Sequence, residues 1–188
     1  RDSILSTLAE SDRPRRRATA AEWSENPKQL SVLAADGIWK VRVVAAANPF
    51  TPGAALTDLS DDRVSKVRLA TAGNLSTPGT TLESLSLSGD HDIRTVVAGN
   101  WSTPPECLVR LSKDRIARVR QAVGTNEMAP ADAAVVLAGD TSVFPVFGIT
   151  DGVHSFSEEQ LRELATSEVE QFRYAVAEHR NTPPDVLT

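Results

Sequence analysis

Leucines recur along this chain as pairs three residues apart, and the pairs themselves repeat. Leu30 and Leu33 are followed by Leu56 and Leu59, Leu82 and Leu85, and Leu108 and Leu111, each pair 26 residues after the last. Apolar side chains three apart share one face of a helix, so each pair predicts a short helix with one buried side. A second apolar set follows: Ile38, Val41, Val44 and Ala45 in one unit, Val64, Val67 and Ala70 in the next. Its three- and four-residue spacing predicts a second helix in every unit. Polar columns keep the same register. They are Arg42, Arg68, Arg94 and Arg120; Asn48, Asn74, Asn100 and Asn126; and Pro52, Pro78, Pro104 and Pro130. Columns in phase over four units define an internal repeat.

The register extends outward. Leu5, Leu8, Arg17 and Pro27 precede the first regular unit at a spacing of 25. Leu161, Leu164, Arg173 and Pro183 restore the pattern near the other end, with His179 in the Asn column. Between them, residues 141–160 lose it. The expected organisation is a single repeat domain over 1–188: regular units from about 5 to 140, a divergent unit at 141–160 and a final unit at 161–188. The chain opens on Arg1 and stops at Thr188 as another unit begins, which reads as a fragment of a longer protein.

Local signals fix expected helix ends. Thr103-Pro104-Pro105-Glu106 predicts a capping box with Pro in the first turn, and Thr51-Pro52, Thr77-Pro78 and Thr182-Pro183 repeat its core. Asp36, Asp62 and Asp114 stand where an N-cap of the second helix is expected. The Asn column predicts a left-handed residue closing that helix, with side-chain amides satisfying the turn backbone. Ala46, Ala72, Ala98, Gly124 and Ala177 form a small column that predicts close approach of another backbone. Helices this short are unstable alone and must stack, so the expected fold is all-α, a solenoid of 26-residue helical units.

Taken together, Val119-Arg120-Gln121-Ala122-Val123 with Asn126, and Thr103-Pro104-Pro105-Glu106-Cys107-Leu108 through Leu111, resemble the leucine-rich repeat variant family. The match covers roughly residues 5–140 and 158–188. The resemblance implies a right-handed superhelix of alternating α- and 3₁₀-helices. Units of 26 exceed the usual family unit a little, so a HEAT-like stack of paired α-helices stands as the second reading. Family members can carry a cysteine-rich iron–sulfur segment. Nothing here matches it, so no cofactor is carried over. The family is tied to no single activity, and fold alone does not give function.

Composition adds limits. Aromatics are 5% of the 188 residues, so the core must be aliphatic. No apolar run approaches the roughly 18 residues of a membrane span. The single Cys107 excludes a disulfide framework within this chain, is expected to fill a small buried slot, and makes a reducing cytoplasm the default location. His91, His154 and His179 fit no metal-ligand spacing. The net charge of −5 gives no global pull toward nucleic acid, yet the basic residues are segregated. Arg42, Arg68, Arg94 and Arg120 form one row, read either as an anion-binding surface or as a ladder of ion pairs with acidic residues at the helix starts. Arg15, Lys40, Lys66 and Arg118 form another, the better candidate for a partner. Trp39 and Val43 lie beside Leu69 on an expected outward apolar patch, and Pro49, Leu75 and Trp101 share a loop column expected to pack on itself.

No catalytic grouping is visible. The expected function is a non-enzymatic protein-interaction scaffold, a module of a larger intracellular protein, with a protein partner and no membrane insertion. The alternative is a nucleic-acid-binding solenoid using the basic stripe, similar to HEAT-like DNA glycosylases.

Overall fold

The computed structural model describes residues 2–143 and 156–186. Most of the divergent unit, residues 144–155 with His154 among them, lies outside the described residues. The chain falls into two compact units, Arg1–Ser88 and Gly89–Thr188. In the first, α1 (Asp2–Ala9), α2 (Pro14–Trp23), α3 (Pro27–Ala34), α4 (Trp39–Ala47), α5 (Gly53–Ser60), α6 (Ser65–Gly73) and α7 (Gly79–Leu85) follow one another. The second holds α8 (His91–Gly99), α9 (Pro105–Leu111), α10 (Ala117–Gly124), α11 (Ala131–Leu137), α12 (Glu158–Ala165) and α13 (Glu170–Glu178). The described residues contain no strand. The protein is an all-helical repeat of the helical-solenoid class. Each complete repeat pairs two α-helices, and the one 3₁₀-helix among the described residues is Pro184–Val186. Among the described residues the repeats are thus built from pairs of α-helices and not from an alternation of α- and 3₁₀-helices.

Helices of like position stack. In the first unit α1, α3, α5 and α7 form one row and α2, α4 and α6 the other. In the second, α9 packs on α11, α11 on α12, and α8 on α10. The leucine pairs make the first row's contacts: Leu30, Leu56, Leu82, Leu108 and Leu161 are all fully buried. The second row buries Val41, Ala45 and Ala46, then Val67, Thr71 and Ala72, and further on Ile93, Val97 and Ala98. With so little aromatic bulk, each leucine carries a large share of the core, and truncation to Ala at such a site costs about 2–5 kcal/mol. Ile38, expected in this core, is 41% exposed, because it precedes α4 in extended backbone instead of joining its buried face. Val44, Val64 and Ala70 are only partly buried at its edge.

The capping chemistry differs from the sequence expectation. Thr103 does not cap α9. The N-cap is Pro104, and the Thr103 hydroxyl donates back to the Val97 carbonyl of the preceding helix at 2.6 Å. Thr51, Thr77 and Thr182 do the same to Ala45, Thr71 and Val176. Each hydroxyl has one proton, and it goes to a carbonyl in the last turn of the earlier helix that also accepts the N–H of the Asn or His closing that helix. The described capping box is instead Ser157 with Gln160 at the start of α12.

Asp36, Asp62 and Asp114 are likewise not N-caps. Ile38, Val64 and Ile116 hold that position, and each Asp carboxylate accepts the N–H of that residue at 2.8–2.9 Å. Nor does the Asn column turn left-handed: Asn48, Asn74 and Asn100 are extended, with φ from −74° to −80°. No described residue has positive φ.

The extended Asn does two jobs. Its Oδ1 accepts the N–H two residues on, from Phe50, Ser76, Ser102 and Met128 in turn. Its Nδ2 donates to carbonyls of the preceding repeat. Asn74 reaches Ala46 at 2.7 Å and Asn48 at 2.8 Å, and Asn126 reaches Ala98 and Asn100. The small column explains the reach: Ala46, Ala72 and Ala98 are fully buried, and the carbonyls of Ala46 and Ala98 receive these bonds. Ala177, in the last repeat, is exposed. His179 occupies the Asn position with its ring Nδ1 accepting from Asn181 N–H.

Candidate interaction site

α2 begins with Arg13-Pro14-Arg15-Arg16, and α4 begins with Ile38-Trp39-Lys40. Stacking of α2 on α4 sets these two helix starts side by side. Between them lies an open cleft of about 990 Å³, rimmed by Arg13, Arg15, Arg16 and Lys40 and floored by Trp39, Ile38, Ala18 and Val44. Trp39 is half-buried, packed with Val43 and Val44 against the core below. The Lys40 ammonium lies 5.8 Å from its ring centroid and that of Lys66, from the next repeat, 5.4 Å. Two cations within 6 Å of one indole is cation–π geometry, which favours these positions for two long exposed side chains. One carboxylate, Asp12, stands at the rim.

The structure thus brings Trp39, Lys40, Lys66 and Arg15 together. Val43 and Leu69 are half-buried, so they do not form the exposed apolar patch expected around Trp39. Arg118 belongs to the second unit, where it is exposed and within 3.4 Å of Asp92, itself exposed. An exposed pair of this kind contributes little. The Pro49, Leu75 and Trp101 column does not bury itself by loop packing: Leu75 is 60% and Trp101 55% exposed. What joins the loops is polar, a bond from the Ser76 hydroxyl to the Pro49 carbonyl.

The arginine column is largely occupied by ion pairs. Nε and Nη2 of Arg42 form a fork on both oxygens of Asp62, at 2.5 and 3.1 Å, while Nη1 donates to the Asp36 carbonyl at 2.7 Å. Arg17 forks on Asp36 and Arg94 on Asp114. Arg120 pairs with Asp140 and with the Ser142 hydroxyl. Arg17, Arg42 and Arg94 thus each clip the start of the next repeat's second helix. The Arg17, Arg42, Arg94 and Arg120 guanidiniums hold these four carboxyls below the usual range, overriding the opposing pull of burial.

Arg68 departs from this pattern. Its Nη1 donates to the Asp62 carbonyl at 2.7 Å, as in the other rungs, but the residue twenty positions on is Ser88. Asp36, Asp62, Asp114 and Asp140 were a readable column, and Ser88 was its readable exception. Arg13 and Arg16 fall in no repeat column, and the cleft they help form became visible only when α2 was placed against α4.

Among the described residues, no group of three or more His, Cys, Asp or Glu is placed to hold a metal ion. Cys107 is buried outside any disulfide, and its sulfur accepts a hydrogen bond from Arg110 Nη2 at 3.4 Å. No described helix is long and apolar enough to cross a membrane.

No family model matches the sequence, and no curated protein matches it. Among solved structures, one described as a leucine-rich repeat variant with a novel repetitive protein structural motif is similar over 98% of this chain and 78% of that chain, with a TM-score of 0.55 at 21% identity. A likeness at that identity establishes the repeat fold.

Proposed function

We propose that this chain is a non-enzymatic interaction module and that the cleft between the starts of α2 and α4 receives an acidic protein segment carrying an apolar side chain. One observation carries the reading: an aromatic floor, with Lys40 and Lys66 over Trp39, under a rim of Arg13, Arg15 and Arg16. Aromatic and Arg side chains are the residues enriched where binding energy concentrates, and a charged rim steers the encounter. The surface is local, since the chain as a whole is acidic.

A second reading, single-stranded nucleic acid, is favoured by the same indole, which offers a base a stacking platform beside cations that suit phosphates. Fluorescence anisotropy separates the two. A labelled Glu-rich peptide with one central Leu is expected to bind. Lys40→Glu/Lys66→Glu is expected to weaken it at least about tenfold by charge reversal, without moving the unfolding midpoint. A labelled oligonucleotide that binds more tightly, with affinity falling steeply in salt, replaces the protein reading with the nucleic-acid one. No binding of either sinks both.

A further inference from the structure

We infer that Arg68 is a built receptor for a carboxylate supplied by another molecule. The ladder itself supplies the argument. In four rungs the guanidinium is anchored through Nη1 to a main-chain carbonyl six residues back: Ser11 for Arg17, Asp36 for Arg42, Asp62 for Arg68 and Asp114 for Arg120, at 2.7–2.8 Å. That anchor orients the opposite edge, Nε and Nη2, toward the turn that starts the next repeat's second helix. For Arg17, Arg42 and Arg94 this edge carries a two-point bond to an Asp carboxylate. For Arg68 the anchor is unchanged, and among the described residues its Nε and Nη2 meet no acceptor.

The turn at position 88 is also unchanged. Ser88 N–H donates to the Leu85 carbonyl at 3.0 Å, as Asp62 does to Leu59 and Asp114 to Leu111. Backbone and arginine are in ladder geometry; the carboxylate is replaced by Ser88, and the N-cap two residues on is Asp90 instead of Ile or Val, its own carboxylate accepting the Asp92 N–H. Ser is shorter than Asp and carries no charge, so it returns neither the reach nor the two oxygens the fork is shaped for. Arg68 is only half-buried. A planar guanidinium edge held rigidly in this way has lost less freedom to binding than a surface lysine would.

The ligand chemistry follows from the neighbouring rungs: a carboxylate approaching edge-on, from an Asp or Glu of a partner or from its C-terminus. Lys66 and Arg68 lie two apart on α6 and so face opposite flanks. The receptor is therefore separate from the Trp39 cleft, and failure of either proposal leaves the other standing.

The test reads the arginine Nε–Hε signals of the intact chain by NMR while acetate is titrated against chloride at matched ionic strength. Arg68 is expected to shift saturably. Arg42, Arg94 and Arg120, already occupied, are expected to stay put. Ser88→Asp is expected to move the Arg68 signal to the position of the occupied rungs and to weaken its acetate response at least about tenfold. An Arg68 signal no more responsive than those of Arg42 and Arg94 overturns the proposal, as does an acetate response untouched by Ser88→Asp. A response to phosphate but not to acetate overturns the carboxylate assignment.

Discussion

Two ladders run through the repeats with the same period, and they are built for different conditions. The asparagine ladder is buried: Asn48, Asn74, Asn100 and Asn126 are at most 5% exposed, and the amides of Asn48, Asn74 and Asn126 donate to buried main-chain carbonyls of the preceding repeat. The arginine–aspartate ladder lies at the edge, with side-chain exposures of 7–22% across its four pairs. Inside, the amides of Asn48, Asn74, Asn100 and Asn126 give way at Ser24 and His179 to a hydroxyl and a ring nitrogen, each of which still accepts the N–H two residues on. At the edge, Ser88 replaces the acid and the helices persist. The difference shows which bonds the fold requires. A buried carbonyl without a donor loses its bond to water and receives nothing back. A half-exposed guanidinium without its carboxylate returns to water at small cost.

The comparison can be broken from its strong end first. Asn74→Ala removes the donor to the Ala46 carbonyl, one of two donors to the Asn48 carbonyl and the acceptor of Ser76 N–H, and is expected to cost about 3 kcal/mol, read as a fall in the urea midpoint with unchanged slope. A loss under about 1 kcal/mol would mean that water enters the turn and the ladder is not buried in solution. Arg42→Ala comes next, at about 1–2 kcal/mol, since Asp62 keeps its Val64 N–H bond and has water nearby. If it costs more than Asn74→Ala, the ranking of the two ladders is reversed. Thr103→Ala is expected to cost about 1 kcal/mol, from the lost donor to the Val97 carbonyl. The start of α9 should be unaffected, so amide exchange should quicken at the end of α8 instead.

Acid gives a gentler test. The ladder Asp carboxyls lie below their ordinary value when folded, so their stabilisation is complete above about pH 4 and is lost as pH falls through the lowered values. Asp62→Asn removes one of these groups and should flatten the fall in stability between about pH 4 and pH 2. A parallel curve would mean that the pair does not persist in solution. Smallest of all, Ser88→Asp should raise stability by about 0.5 kcal/mol, a shift in the midpoint within reach of replicate melts.

The repeat was fully legible in the sequence, because a period is a relation between positions and needs no coordinates. Leu30 to Leu111 and Asn48 to Asn126 lie where their spacing put them. The direction of each polar bond was not legible. Thr103 before two prolines looks the same whether its hydroxyl caps the helix ahead or the carbonyl behind, and the choice follows from which group is buried. Asn48 closes its helix equally well in left-handed or extended backbone, since either lets a short amide reach the turn. Only the packed neighbour at Ala21 and Ser24 selects the extended form. The cleft was least legible. Lys40 and Lys66 lay in a visible row, but Arg13 and Arg16 follow no period, and half-burial of Val43 and Leu69 depends on how closely α4 and α6 approach.

The direction of the asparagine bonds has a temporal consequence. Asn48, Asn74 and Asn126 each donate backward, to a repeat that precedes them in the chain. The aspartates face the same way in effect, since Asp62 and Asp114 complete arginines already made. A ribosome releases the chain in that order. Each repeat therefore emerges with exposed carbonyls at its end and is closed by the next one to leave the tunnel, so a nascent chain of this kind matures one repeat behind its own synthesis.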